Sequence, residues 1–481
     1  MARRTKIVAT IGPASDDPGV LGALVEAGVD VFRLGLAHGS LDEHLDRVVR
    51  IRSVAEAAGK VVGVLADLPG PKVRASAFPD DGALLAEGGR VELVPAQPGG
   101  RSSARTIGVE HPALLAEVGP GDQVALGDGG VVLVVEDVDG RRALARVVGG
   151  GRLVGSPGVN LPPERVTAAV PTPHDLRLLD AVAAAGVDAV AVSFVRRADD
   201  VRTVKRAAGP DGPMVVAKIE TPSAVEDLEA ILAESDGAMV ARGDLGVRCA
   251  LEDVPHIQKR IIRTGVAFAR PVITATQMLE SMVLAPRPTR AEVSDVANAV
   301  FDGTSALMLS GETAIGRYPV AAVRTMATVA ERAERDFDHL AWGSRLGRQQ
   351  LSESQGADPA VRIQTSLSSA AWRAAIEVEA AAIIACTNSG NTARAVSRFR
   401  PSAPIIAATP SAATARRLAM AWGISPLVVG RYSSTDDIVW FAVKAAAESG
   451  LVARDDIVAV LVGSPVEPDP TTDVLRLVRV S

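Results

Sequence analysis

Residues 214–220 read MVVAKIE and residues 236–242 read DGAMVAR, with a stretch of helical period at 224–233 between them. The two runs are continuously apolar rather than alternating, so each is expected to be a strand buried on both faces. Two such strands joined by a helix form a parallel unit. The unit recurs at 6–10 (KIVAT), 29–36 (VDVFRLGL), 61–67 (VVGVLAD), 188–194 (DAVAVSF), 271–276 (PVITAT) and 305–310 (SALMLS). Eight strands alternating with helices predict an α/β fold, a closed (β/α)8 TIM barrel. An open doubly wound sheet shares the local pattern and is the structural alternative. The barrel is favoured by where the polar residues fall. Arg33, Asp67, Lys218, Glu220, Arg242, Asp244 and Thr276 all stand at or just past strand ends, the face on which barrel enzymes carry their chemistry.

The third and fourth runs are far apart. Residues 70–165 between them are rich in Gly, Val, Asp and Pro, and runs such as 90–94 and 131–135 alternate like short antiparallel strands. An inserted β domain is expected there. After residue 345 a polar stretch at 349–358 leads into a second α/β unit, with strands expected at 382–387, 404–408, 426–429 and 457–462. The 481-residue length accommodates about three domains.

Composition narrows the function. A net charge of −6 leaves no basic footprint, so nucleic acid is not expected as a partner. Cys249 and Cys386 are too few for a disulfide framework or a cysteine-rich zinc site. Arg3 and Arg4 precede only a short apolar run ended by Gly12 and Pro13, unlike a secretory leader. No apolar run is long enough to span a membrane, so a cytoplasmic protein without membrane partners is expected. Of the 51 basic residues only seven are lysines. An arginine-rich coding bias accounts for that, yet Lys218 stands at a strand end.

Side chains two apart on a strand share a face, so Lys218 and Glu220 point together into the barrel mouth. By the same spacing Arg242 and Asp244 are expected to form a second pair, with Gly243 and Gly246 letting backbone approach closely. Carboxylates on neighbouring strand ends suit a hard cation. Mg²⁺ takes one or two carboxylates and completes its shell with substrate oxygens and water. A neighbouring lysine offers a point charge for a phosphoryl group or carboxylate, and the Thr276 hydroxyl can relay a proton. The competing reading is a set of satisfied ion pairs. Phosphoryl transfer demands chiefly positioning and charge neutralisation, which Arg33 and Arg74 would extend. There is no Walker A motif, and residues 127–130 (GDGG) read on their own as a tight turn.

Together these motifs resemble the pyruvate kinase family over nearly the whole chain. RRTKIVATIGPAS, LADLPGPKVR, GVNLP, SFVR, AKIE, VARGDLGV, ATQMLESM and PRPTRAEVSDVANAVFDGTSALMLSGETA carry the likeness, and the block 276–314 is its most specific part. The resemblance implies a barrel catalytic domain (1–69 and 166–345), an inserted small β-barrel lid domain (70–165) and a C-terminal α/β regulatory domain (346–481). It implies a homotetramer and phosphoryl transfer from phosphoenolpyruvate to ADP with Mg²⁺, for which Mn²⁺ can substitute. Glu220 and Asp244 match the metal ligands. Lys218 matches the lysine at the transferring phosphoryl group, Arg33 an arginine on the substrate phosphate, and Thr276 the threonine near the enolate carbon. Ala241, Arg242 and Gly243 match the segment whose backbone holds the substrate carboxylate. His38, Arg74 and Asp128 fall in segments on the nucleotide side. Residues 387–392 (TNSGNT), with Thr387, Asn388, Ser389, Gly390 and Thr392, resemble a loop that binds the phosphate of an effector, although a capped strand-to-helix loop reads the same way.

Departures from the family pattern concentrate on one side. The family's R-L-N-F-S-H-G is Arg33-Leu34-Gly35-Leu36-Ala37-His38-Gly39 here, so two residues that help to bind a monovalent cation and support the nucleotide are replaced by Gly35 and Ala37. Asp67 of that cation site is kept. Lys72 and Leu68 match potassium-independent members, in which a fixed ammonium replaces K⁺, so no K⁺ requirement is expected. The lysine that reaches nucleotide phosphates just before GVNLP is Pro157. Losing one charge-assisted contact costs about 1.5–3 kcal/mol. Arg248 and Ala250 replace an acidic residue and a proline, and Glu467, Asp469 and Asp473 add negative charge to a late loop of the effector region. Three readings follow: a K⁺-independent pyruvate kinase, a diverged paralogue with another phosphoryl acceptor or substrate, and a non-catalytic phosphometabolite-binding regulator.

Overall fold

The computed structural model describes residues 3–71, 73–110, 114–127, 129–160, 169–353, 358–463 and 472–481. Eight parallel strands close into a barrel: β1 (Lys6–Thr10), β2 (Val31–Gly35), β3 (Gly63–Leu68), β4 (Ala189–Val192), β5 (Met214–Ile219), β6 (Gly237–Ala241), β7 (Val272–Ala275) and β8 (Ala306–Leu309). Each pairs with its neighbours in sequence, and β1 pairs with both β2 and β8. The open-sheet alternative is thereby excluded. The strands are buried on both faces, and the two faces pack differently. Val8, Val31, Leu65, Ala189, Ala191, Val216, Met239 and Ile273 fill the barrel interior, while Ile7, Ala9, Phe32, Val64, Val190 and Ala217 pack outward against the helices. This alternation within continuous apolar runs fixes which polar residues enter the barrel mouth.

The inserted region has its own apolar core around Phe78, Leu93, Ile107 and Leu133. Its main sheet has six strands, spatially ordered Val159–Asn160, Gln123–Leu126, Val131–Val138, Ala143–Gly149, Arg90–Pro95 and Thr106–Val109. Two findings refine the expectation of an antiparallel β-barrel. The last pair is parallel, and the sheet does not close by a continuous ladder. Instead Arg74 bridges to Gly158 and Ala75 to Val109, so one short segment joins its two edges.

The C-terminal sheet has five strands, ordered Ile424–Val428, Ile405–Thr409, Ala382–Cys386, Ile457–Gly463 and Thr472–Arg479, of which the last is antiparallel. Ala419 and Met420 of this domain plug the floor of the barrel interior. The Arg416 guanidinium pairs with Asp188, just before β4, at 2.8 Å. The C-terminal domain therefore covers the barrel end opposite the strand C-termini. Helix His339–Glu353 runs across the expected boundary at residue 345. Its Trp342 packs with the barrel layer, whereas Leu346 packs on Trp372 and Phe399 of the next domain. Both cysteines are free thiols. No helix among the described residues is long and apolar enough to cross a membrane.

Candidate active site

The interior columns Val31–Arg33, Leu65–Asp67 and Val216–Lys218–Glu220 each step by two residues, from apolar core to charged mouth. Arg33 Nε donates to Asp67 Oδ2 at 2.8 Å, and its Nη1 donates to Thr10 Oγ1 at 3.1 Å. Lys218 Nζ donates to Ser193 Oγ at 2.6 Å and lies 3.4 Å from both Asp67 Oδ1 and Glu220 Oε2. Burial works against the Asp67 carboxylate, but Lys218 and Arg33 outweigh it and hold its pKa below the usual range. Burial likewise opposes the Lys218 ammonium, yet Asp67, Glu220 and Asp244 push its pKa above the ordinary lysine value. The lysine is thus a fixed positive charge.

Glu220 behaves in the opposite sense. Its Oε1 accepts from the N–H of Phe194, which has φ 59°, at 2.6 Å. Its Oε2 is fully buried and has no hydrogen-bond donor. Burial, joined by the negative charge of Asp244, raises its pKa well above the carboxylate range despite Lys218. A buried, under-satisfied carboxylate oxygen beside a second carboxylate is a good fit to a divalent cation. Among the described residues no group of three or more His, Cys, Asp or Glu side chains forms a complete metal cage. The two-carboxylate set therefore suits a cation that draws its other ligands from substrate and water.

One sequence expectation is corrected here. β6 ends at Ala241, and Arg242–Arg248 is a short helix, so Arg242 and Asp244 do not share a strand face. Arg242 instead turns to helix Arg290–Phe301, pairing with Asp295 at 2.7 Å and donating to the Thr276 carbonyl at 2.6 Å. Asp244 alone acts electrostatically on Lys218 and Glu220. Thr276 follows β7 with φ 68°, a left-handed conformation costly for a β-branched residue. Its Oγ1 accepts from the Gly243 N–H at 2.8 Å and donates to the Ala275 carbonyl at 2.6 Å. The threonine thereby ties the start of helix 242–248 to β7.

Across the mouth, described contacts run between the inserted domain and the loop after β2. Arg74 Nη2 lies 3.1 Å from His38 Nε2, and Nη1 donates to the Ser156 carbonyl at 3.0 Å, so one guanidinium straps the inserted domain to the loop after β2. Pro157 follows, its carbonyl accepting from the Ala75 N–H at 2.9 Å. A Cβ on Gly129 would stand 3.3 Å from Val247, which places the lid's tight turn against helix 242–248. Lys72 and Asp128 lie outside the described residues. Ser193 and Thr10 were not singled out from sequence. Both continue an interior column, Ala191 to Ser193 and Val8 to Thr10, so the two-residue step would have found them.

In the C-terminal domain the 387–392 loop turns at Gly390, with φ 86°, and the Gly390 N–H donates to Thr387 Oγ1 at 2.9 Å. Thr387, Asn388, Ser389 and Thr392 line a cavity of about 740 Å³, shared with Arg431 and Tyr432. Gly390 shapes the turn without lining that cavity. Asp473 lies in the exposed part of the last strand, and Glu467 and Asp469 lie outside the described residues.

Comparison with known proteins agrees with this geometry. Residues 2–323 match the family model described as pyruvate kinase, barrel domain, and residues 365–478 match pyruvate kinase, alpha/beta domain. The chain is 41% identical over 480 residues to a pyruvate kinase of Methylorubrum extorquens, covering 100% of this chain and 98% of that protein. It is 39% identical over 486 residues to a pyruvate kinase of Mycobacterium tuberculosis, covering 100% and 99%. A third relative, from Geobacillus stearothermophilus, is 40% identical over 482 residues, covering 99% of this chain and 80% of that longer protein. With both domain models matched and such identity end to end, this chain is a phosphotransferase belonging to the pyruvate kinase family.

Proposed function

We propose that the chain moves the phosphoryl group of phosphoenolpyruvate to ADP, giving pyruvate and ATP, and that it does so without K⁺. The observation that carries the reading is the Lys218–Glu220 pair, a fixed ammonium beside a buried carboxylate oxygen that lacks a donor. Glu220 and Asp244 would hold Mg²⁺, or Mn²⁺ in its place. When bound, the cation supplies charge neutralisation for phosphoryl and enolate oxygens. Arg33 and Lys218 orient the phosphoryl group. The bond from phosphorus to the enol oxygen breaks, one to a β-phosphate oxygen of ADP forms, and the electron pair passes to the enolate. Thr276, directly or through water, delivers the proton to the enolate carbon. The backbone at Ala241, Arg242 and Gly243 holds the substrate carboxylate, and His38, Arg74 and Asp128 meet the nucleotide.

Independence from K⁺ rests on Lys72 and Leu68, the residues shared with potassium-independent members, and the surroundings of Asp67 are compatible with it. One Asp67 oxygen is bonded to Arg33 and the other to Ser193 beside Lys218, so the protein's own cations occupy the carboxylate that a monovalent ion would use. Lys72 would add the fixed ammonium of potassium-independent relatives. We further assign residues 1–69 and 166–345 to the catalytic barrel, 70–165 to the lid and 346–481 to a regulatory domain. That domain's 387–392 loop takes a phosphorylated effector. The assembly is a cytoplasmic homotetramer.

The test is pyruvate release from phosphoenolpyruvate with a panel of nucleoside diphosphates, with Mg²⁺ and with a chelator. ADP with Mg²⁺ should give the fastest turnover, and chelation should abolish it. Release with another acceptor but not ADP would establish the diverged-paralogue reading, which Pro157 motivates. No release with any acceptor would leave the regulator reading.

A further inference from the structure

Beneath the barrel, four arginines converge on the cleft between the barrel and the C-terminal domain. Arg270 comes from the loop before β7, and Arg394, Arg398 and Arg400 come from or just follow helix Asn391–Ser397. Arg394 is only 9% exposed, and its Nη2 donates to the neutral Asn391 Oδ1 at 2.6 Å. Arg400 is 2% exposed. Its partners are the Ser397 and Gly303 carbonyls and the hydroxyls of Ser397 and Ser305, while its Nε has no partner. Arg270 donates to the Leu232 and Ala233 carbonyls. Among the described residues none of these three makes an ion pair with a carboxylate. The acidic groups that act on them from further off are engaged elsewhere: Asp236 binds Lys205 at 3.0 Å and the Val215 N–H, Glu234 pairs with Arg202 at 3.0 Å, and Glu334 accepts from the Arg4 and Thr5 N–H groups.

Buried guanidinium groups without a counter-ion are an anomaly, because a buried charge is ordinarily paired. The molecule registers the strain. Burial and the neighbouring Arg270 charge bring the Arg394 pKa down to about 10, and burial brings Arg400 down to about 9. A tetrahedral oxyanion is the partner that answers this arrangement. Guanidinium forks bind phosphate and sulfate oxygens in pairs, and one dianion would neutralise Arg270 and Arg394, which now repel each other across the domain boundary. We propose that this cleft is an anion site for a phosphate group, free or carried by a phosphomonoester, bridging Arg270 of the barrel and Arg394 of the C-terminal domain. The cleft now has about 10 Å³ of free space, room for one water. Binding must therefore part the two layers or swing the guanidinium groups. Because Arg394 also holds Asn391, which lines the 740 Å³ cavity, such movement is communicated to the 387–392 loop.

The test locates the anion directly. Crystals of the full chain soaked in dilute sodium tungstate should show anomalous density between Arg270 and Arg394. Density confined to the barrel mouth or to the 387–392 loop, or no density, overturns the proposal. In solution the Lys218→Met protein, in which the barrel mouth is weakened as a phosphate site, should gain about 2–4 °C in Tm with millimolar inorganic phosphate or glycerol phosphate over chloride of equal ionic strength. A gain with phosphate alone identifies a free-ion site, and one with the ester alone a metabolite site. Adding Arg394→Met should remove the gain and leave the anion-free Tm equal or higher, because an uncompensated buried charge is gone. Should that variant fail to fold, Arg270→Met serves in its place. A gain that survives the arginine substitution refutes the assignment, and tungstate density without any Tm gain means an adventitious ion only.

Discussion

The two walls of the candidate site are built to different standards. On the barrel wall Arg33, Asp67, Ser193 and Lys218 form one buried network in which both Asp67 oxygens and the lysine ammonium are engaged. On the lid wall Arg74 links the loop after β2, through the exposed His38, to the segment at Ser156. The barrel wall is set by strand register, in which a one-residue slip would turn every charge outward. The lid wall is set by loops, where substitution is tolerated. Of the departures bearing on nucleotide or monovalent cation, Gly35, Ala37 and Pro157 fall beside the second wall or on the outer rim of the first, whereas Leu68 ends β3 next to Asp67. On the proposed function, the donor half of the site therefore falls on the wall set by strand register, and the acceptor half falls beside the wall set by loops.

The sharpest way to break the comparison is Lys218→Met. If the barrel wall is the phosphoryl centre, kcat should fall by about 10³-fold, with the fold retained as read by circular dichroism. Activity within tenfold of the parent would move the chemistry elsewhere.

Next in size are two carboxylates of the same wall. Asp67→Asn strips a buried partner from two cations, and chemical denaturation should show a loss of about 3–5 kcal/mol. Glu220→Gln should do the reverse in chelator. Its raised folded pKa means that the charged form opposes folding above the ordinary carboxylate pKa. Between about pH 5 and about pH 8 the metal-free parent should therefore lose stability relative to Glu220→Gln. The same substitution should abolish stabilisation by Mg²⁺. Equal losses for both variants would show that the two carboxylates do the same structural job.

The barrel wall could be read before any coordinates because continuous apolar runs ending in charge admit few arrangements. Seven of the eight strands lie inside the runs expected for them, the exception being β3, which extends one residue further to Leu68. Three things escaped that reading for physical reasons. Arg242 and Asp244 were paired by strand periodicity, but the chain turns helical at Arg242, and a large guanidinium finds Asp295 more than fifty residues away in sequence. The helix expected at 224–233 breaks at Asp227, whose carboxylate is drawn to the Ala198 N–H at 3.0 Å. The fifth C-terminal strand, Thr472–Arg479, is an edge strand half open to solvent, so its apolar signal is diluted. The arginine cleft under the barrel was illegible for a similar reason, since it is assembled from segments more than a hundred residues apart.

A smaller effect sharpens the lid side. Pro157→Lys places an ammonium where the family pattern has a lysine, at a position the proposed function assigns to the nucleotide side. It should lower KM for ADP by about tenfold and leave KM for phosphoenolpyruvate unchanged. A change in the phosphoenolpyruvate constant instead would mean that the two walls are not separable.

The central claim is that the barrel wall supplies its own positive charge where a monovalent cation would otherwise sit. It is tested most directly by the steady-state rate of pyruvate formation from phosphoenolpyruvate and ADP with Mg²⁺, with all K⁺ replaced by tetramethylammonium at equal ionic strength. The account predicts the same rate in both salts within about twofold, because the fixed ammonium of Lys72, with the Asp67 carboxylate already engaged by Arg33, stands in for the ion. A rate that appears only when K⁺ is returned would contradict the account.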